Sequence, residues 1–105
     1  MRIYFIDEKG KNLCIKKIIE DEGIQNIEHK ENLKFRINKT DIVITTDFKN
    51  NYDDYKKVNQ LIIITRSSDK NEIWNMTEKL NTIDIIFDDL KNSEYIGKRI
   101  AKILR

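Results

Sequence analysis

Leu61-Ile62-Ile63-Ile64-Thr65 is apolar at four successive positions, and Asp41-Ile42-Val43-Ile44-Thr45-Thr46 and Ile83-Asp84-Ile85-Ile86-Phe87 share its character. A strand points successive side chains to opposite faces, so a run that is apolar throughout is covered on both sides. That is the mark of a parallel sheet packed between helices. The connections supply the helices. Residues 51–59 put Tyr52, Tyr55 and Val58 on one helical face. Asp69 with Glu72 three residues later has capping-box spacing and opens a helix that turns Ile73, Met76 and Leu80 inward. Ser93 is the expected N-cap of a last helix with Ile96, Ile100, Ile103 and Leu104 as its buried stripe.

Upstream, Arg2-Ile3-Tyr4-Phe5-Ile6 is a first strand that stops at Asp7-Glu8. From Asn12 to Glu22, Cys14, Ile15, Ile18 and Ile19 fall at helical spacing, and Gly23 is placed to end the helix. A short strand is expected from Asn26 to His29. Leu33-Lys34-Phe35-Arg36-Ile37 alternates with period two and reads as an edge strand, a short amphipathic helix being the other reading. Were it to pair antiparallel with Ile42–Thr46 through the turn at 38–41, the sheet would be mixed. The expected fold is α/β, a doubly wound, mostly parallel five-stranded sheet in the order 2-1-3-4-5 with helices on both faces. No linker or repeat divides the chain, so residues 1–105 form one domain.

Composition narrows the function. Hydrophobic residues make up 39% and charged residues 36% of the 105 positions, and 20 of the apolar ones are Ile, enough for a core rich in a β-former. One cysteine excludes a disulfide framework and a Cys-based zinc site. No apolar run is long enough for a membrane span, and none near the start suits a signal peptide, so a cytoplasmic setting without membrane contact is expected. The net charge is +2, with ten basic and nine acidic residues in each of 1–52 and 53–105, which gives no bulk case for nucleic acid.

In an open α/β sheet, ligands bind beyond the carboxyl ends of the strands. Those ends carry Asp7 and Glu8, then Thr46 and Asp47, then Thr65, then Asp88 and Asp89. Carboxylates gathered at one edge repel each other unless a hard cation such as Mg²⁺ relieves them, although acids also open helices favourably. Gly10-Lys11-Asn12 lacks the other residues of a P-loop, and no G-x-G-x-x-G exists. Cys14 is expected in the core as a small hydrophobe. His29 has no Cys or His partner nearby and reads as a strand or loop residue. An exposed Trp74 would mark a contact surface.

These residues together resemble the receiver domains of bacterial response regulators. Ile3-Tyr4-Phe5-Ile6-Asp7-Glu8 is similar to their first strand and acidic pair, Asp41 to Asp47 to the phosphoacceptor strand, and Leu61 to Thr65 to the strand ending in the switch hydroxyl. Residues 83–90 and 93–105 resemble the fifth strand and closing helix. The resemblance implies Asp47 as phosphoacceptor, Thr65 as switch residue and Asp7, Glu8 and Asp47 as Mg²⁺ ligands. The chain departs from the family at specific points. Five residues after Asp41, where the phosphoacceptor is expected, stands Thr46, and a bulge is needed to bring Asp47 into place. No proline follows it, and Phe87 or Asp88 stands where the family has its lysine.

The resulting expectation is a non-enzymatic, receiver-like regulatory or protein-interaction domain, a pseudo-receiver, that needs no cofactor and acts through a protein partner or self-association. One alternative is a working receiver with Mg²⁺ and Asp47 phosphorylated. Another is a small nucleic-acid-binding accessory protein that uses the basic face Lys98, Lys102 and Arg105 of the last helix.

Overall fold

A computed structural model describes residues 1–88 and 91–105; Asp89 of the acidic strand-end set lies outside them. The strands are β1 (Ile3–Ile6), β2 (Ile27–Lys30), β3 (Ile42–Thr45), β4 (Leu61–Thr65) and β5 (Thr82–Phe87). The helices are α1 (Leu13–Asp21), α2 (Lys70–Met76) and α3 (Ser93–Leu104), with 3-10 segments at Phe48–Lys57, Ser67–Asp69 and Thr77–Lys79. The strands form one sheet in the order β2-β1-β3-β4-β5, every pairing parallel. This is the doubly wound, flavodoxin-like order expected from the apolar runs, and the mixed sheet is not formed.

Alternation along those runs divides the core in two. Ile3, Phe5, Ile42, Ile44, Ile62, Ile64 and Ile86 face α1 and α3, where Ile15, Ile19, Ile96, Ile100 and Ala101 meet them. Tyr4, Ile6, Val43, Leu61 and Ile63 face the other way, onto Phe48, Tyr55, Val58 and Ile73. Both faces of the central strands are therefore dry, as a parallel sheet requires.

Leu33–Ile37 is neither strand nor helix. Its period-two pattern is real, because Leu33 is buried and Phe35 and Ile37 pack on the second core. The segment lies across that face instead of along the edge of β2, with Phe35 against Tyr4 at 4.7 Å between ring centroids. The Lys57 ammonium ties it down by donating to the carbonyls of Leu33 and Phe35. Period two thus reports which side chains turn inward, and a sheet is only one way to satisfy it.

Smaller corrections concern helix ends and one cysteine. The segment expected as a short helix over 51–59 is a 3-10 turn that starts earlier, at Phe48. Asn92, not Ser93, occupies the N-cap of α3, and Asp69 sits at the N-cap of α2 without a side-chain capping bond. Glu72 turns away from a capping box to pair with Lys49 at 2.9 Å. Cys14 is exposed, its thiol 3.4 Å from the Ser93 hydroxyl, because Ile15 and Ile19 alone fill the buried face of α1. Gly97 lets α3 approach α1, since a Cβ there would lie 2.5 Å from Ile18 Cγ2.

Candidate functional site

The chain leaves β1 through a tight turn. Gly10 takes a positive φ of 65°, and its N–H closes on the Asp7 carbonyl at 3.2 Å. Asp7 itself is buried, 2% exposed, and its carboxylate faces inward. Oδ2 accepts the Asn12 N–H at 2.7 Å; Oδ1 lies 3.2 Å from the Thr46 hydroxyl and 3.4 Å from the Asn12 side-chain amide. His29 approaches from β2, its Nε2 2.8 Å from the Asp7 carbonyl, which fixes it as a strand residue with a structural bond.

Asp47 arrives without a bulge. The β1–β3 ladder runs on one residue past the strand, with the Thr46 N–H on the Ile6 carbonyl at 3.1 Å, and the chain then turns off at Asp47 with φ −122° and ψ 29°. Its Oδ2 accepts the Glu8 N–H at 2.6 Å, and its own N–H donates to Thr45 Oγ1 at 3.1 Å. Thr46 Oγ1 lies between the two acids, 3.2 Å from Asp7 Oδ1 and 3.4 Å from Asp47 Oδ2. The end of β1 and the loop after β3 are therefore tied together by neutral donors. Among the described residues no group of three His, Cys, Asp or Glu side chains is arranged around a common metal position.

Over the carboxyl ends of β1, β3 and β4 lies a cleft of about 410 Å³, lined by Thr46, Asp47 and Thr65 together with Lys11, Lys49 and Arg66. It brings together the sequence-expected Asp47 and Thr65. Lys49 bridges Asp69 at 3.3 Å and Glu72 at 2.9 Å, and these two acids hold its pKa above the usual lysine value. The three cations were missed by sequence reasoning, which listed acids and hydroxyls at strand ends. They lie one to five residues past the ends of β1, β3 and β4, with no common spacing that the sequence alone would have shown. At the end of β5, Asp88 donates its N–H to the Thr65 carbonyl at 2.8 Å, and its carboxylate accepts from the Lys91 N–H and the Asn92 side chain, each at 3.2 Å.

The basic face of α3 is partly neutralised. Lys98 pairs with Glu94 at 3.0 Å, and Arg105 reaches the Glu22 carboxylate at 3.7 Å and its carbonyl at 2.9 Å, while Lys102 is exposed. Of the exposed large apolar side chains, Trp74 on α2 is 62% exposed, Ile83 on the edge strand β5 44% and Tyr95 on α3 57%; Met1 and Leu13 are the others. No helix among the described residues is long and apolar enough to cross a membrane. Comparison with protein-family models, with curated proteins and with solved structures finds no match to this chain.

Proposed function

We propose that the chain is a receiver-like regulatory domain that works by protein contact and not by phosphoryl transfer to Asp47. The observation that carries this reading is Thr46. Five residues after Asp41, where the resembled family has its phosphoacceptor, a hydroxyl lies 3.2 Å from the buried Asp7. Acceptors of the Asp7 and Asp47 carboxylates are engaged by the chain's own donors, Asn12 N–H on Asp7 and Glu8 N–H on Asp47. Carboxylates satisfied in this way have fewer oxygens to offer Mg²⁺, which takes near-octahedral oxygen ligands. Phe87 or Asp88 stands where the resembled family has its lysine, so an acyl phosphate would lack that counter-charge.

The contact surface in this reading is the β5 edge, one of the two edges of the sheet. β5 pairs only with β4, and a bare edge strand is a template for a further chain unless it is managed. Trp74, Ile83 and Tyr95 surround it, and exposed aromatic residues of this kind anchor interfaces. Sedimentation equilibrium of the wild-type chain against Trp74→Ala and Tyr95→Ala tests the self-association form of the proposal. Concentration-dependent association that both substitutions weaken is the expected result.

A second reading keeps the chemistry, because Asp47, Thr65 and Lys49 line one cleft. Amide NMR with Mg²⁺ and then beryllofluoride, an acyl-phosphate mimic, separates the two. Shifts confined to Asp7, Asp47, Thr65 and α3 would establish a working receiver and overturn the first reading.

A further inference from the structure

The cleft carries a charge pattern that the receiver-like reading does not use. Its cations come from three separate connections: Lys11 between β1 and α1, Lys49 after β3 and Arg66 directly after β4. They surround the point between β1 and β3 where the strand order reverses, the usual ligand position in such sheets. Lys49 is shared by Glu72 at 2.9 Å and Asp69 at 3.3 Å, so it adds no free positive charge, and an anion in the cleft is left to Lys11 and Arg66. No ion pair among the described residues engages Lys11 or Arg66. The hydroxyl residues Thr46 and Thr65 and Asn12 contribute further polar lining.

Asp47 is the apparent objection, since a carboxylate repels an anion. Its Oδ2 is turned toward the Glu8 N–H, which leaves Oδ1 as a hydrogen-bond acceptor. A site with two cations and one such acceptor suits a ligand that is anionic at one end and hydroxyl-bearing at the other. The volume of about 410 Å³ falls within the usual size of small-molecule pockets, roughly 300–1,000 Å³. The geometry points to a phosphorylated polyol, of the size of a pentose phosphate, as the ligand of this cleft. The phosphate lies between Lys11 and Arg66, and a ligand hydroxyl donates to Asp47 Oδ1. Binding is non-covalent, and it is independent of whether the β5 edge meets a partner.

The test is an amide NMR titration of the whole chain at constant ionic strength with three probes: ribose 5-phosphate, inorganic phosphate and ribose. Ribose 5-phosphate is expected to shift the amides of residues 11–12, 46–49 and 65–66, inorganic phosphate to shift the same set more weakly, and ribose to shift none. Arg66→Ala and Lys11→Ala, both at exposed positions, should each weaken ribose 5-phosphate by about tenfold, the scale of one charge-assisted hydrogen bond. Lys102→Ala should leave it unchanged. Asp47→Ala should abolish the preference for ribose 5-phosphate over inorganic phosphate, by removing the acceptor for the ligand hydroxyl, while inorganic phosphate binds no more weakly than before. Shifts spread over all surface lysines, an equal effect of Lys102→Ala, or no shifts at about 10 mM ligand would overturn the proposal.

Discussion

Asp7 and Asn12 close the turn between β1 and α1 on each other, the Asn12 N–H donating to Asp7 Oδ2 at 2.7 Å and the Asn12 side-chain amide lying 3.4 Å from Oδ1. A buried carboxylate at a strand end can be held in reserve for a cation or spent on the fold. The two uses have opposite signs in a stability measurement. Removing an acid that sits unpaired among other acids relieves repulsion and stabilises the chain. Removing one that satisfies a backbone donor orphans that donor, at a cost of about 1–3 kcal/mol. Asp7→Ala is therefore expected to lower the urea midpoint without changing the slope of the transition. A raised midpoint would mean that Asp7 is a strained ligand in waiting.

Gly97 and Ile18 set the distance between α3 and α1. A Cβ at Gly97 would meet Ile18 Cγ2 at 2.5 Å and Ile18 Cβ at 2.8 Å, closer than real carbon contacts permit. Gly97→Ala gains helix propensity of up to about 1 kcal/mol but overpacks an interface, which typically costs about 1–3 kcal/mol. The net expectation is destabilisation. Ile18→Ala in the same chain removes the Cγ2 contact but keeps the Cβ at 2.8 Å, so it should lessen the cost of Gly97→Ala without abolishing it, and a double-mutant cycle in urea measures that coupling. Additive effects would mean that the helices simply move apart.

How much was legible in the sequence follows from which forces act locally. The runs at 42–45 and 61–65 carried the fold, because burial on both faces leaves only the closing Thr45 and Thr65 polar. Leu33, Phe35 and Ile37 carried the right burial and the wrong structure, since alternation is silent about where the backbone hydrogen bonds go. Asp47 and Thr65 were placed at one cleft by counting strand ends. Lys11, Lys49 and Arg66 were not, because a cation after a strand looks like any solvated surface residue until the sheet order brings three of them together. The pairing of Lys98 with Glu94 is an i, i+4 spacing and was readable; that of Arg105 with Glu22 spans the α1–α3 packing and was not.

Asp41 gives the fold an acid-sensitive clasp. Its side chain accepts the Arg2 N–H and the Asn38 N–H, each at 2.9 Å, joining the start of β1 to the turn before β3. Burial pushes its pKa up, but the two backbone donors, helped by the N-terminal and Arg2 charges, outweigh it and hold the value below the usual 3.8. A carboxyl with a lowered folded pKa contributes stability that is fully present above its unfolded value and is lost as pH falls through the folded one. Asp41→Asn should therefore be less stable than wild type at neutral pH, with the difference narrowing below about pH 4. Urea unfolding of both chains across that range checks it, and a difference independent of pH would overturn the assignment.

Tyr55 and Thr45 make the corresponding clasp at high pH, and this one leads into the cleft. Their oxygens lie 2.6 Å apart in the core, and Thr45 Oγ1 also accepts the Asp47 N–H at 3.1 Å. Burial disfavours the phenolate and raises the Tyr55 pKa to about 12, with the charges of Asp47 and Asp54 adding to the rise and the Thr45 hydrogen bond opposing it. The neutral phenol is thus the form that the fold selects. The corresponding stability is fully present below the unfolded value of 10.0 and is lost as pH rises toward about 12. Tyrosinate absorbance should show one ionisation near that upper value that is missing in Tyr55→Phe. The substitution should also cost about 0.5–1.5 kcal/mol at neutral pH, the net worth of one hydrogen bond. Because Thr45 connects Tyr55 to Asp47, Tyr55→Phe should shift the Asp47 amide resonance as well. An unmoved Asp47 amide would mean that the core clasp and the cleft are independent, so that the position of Asp47 does not depend on Tyr55.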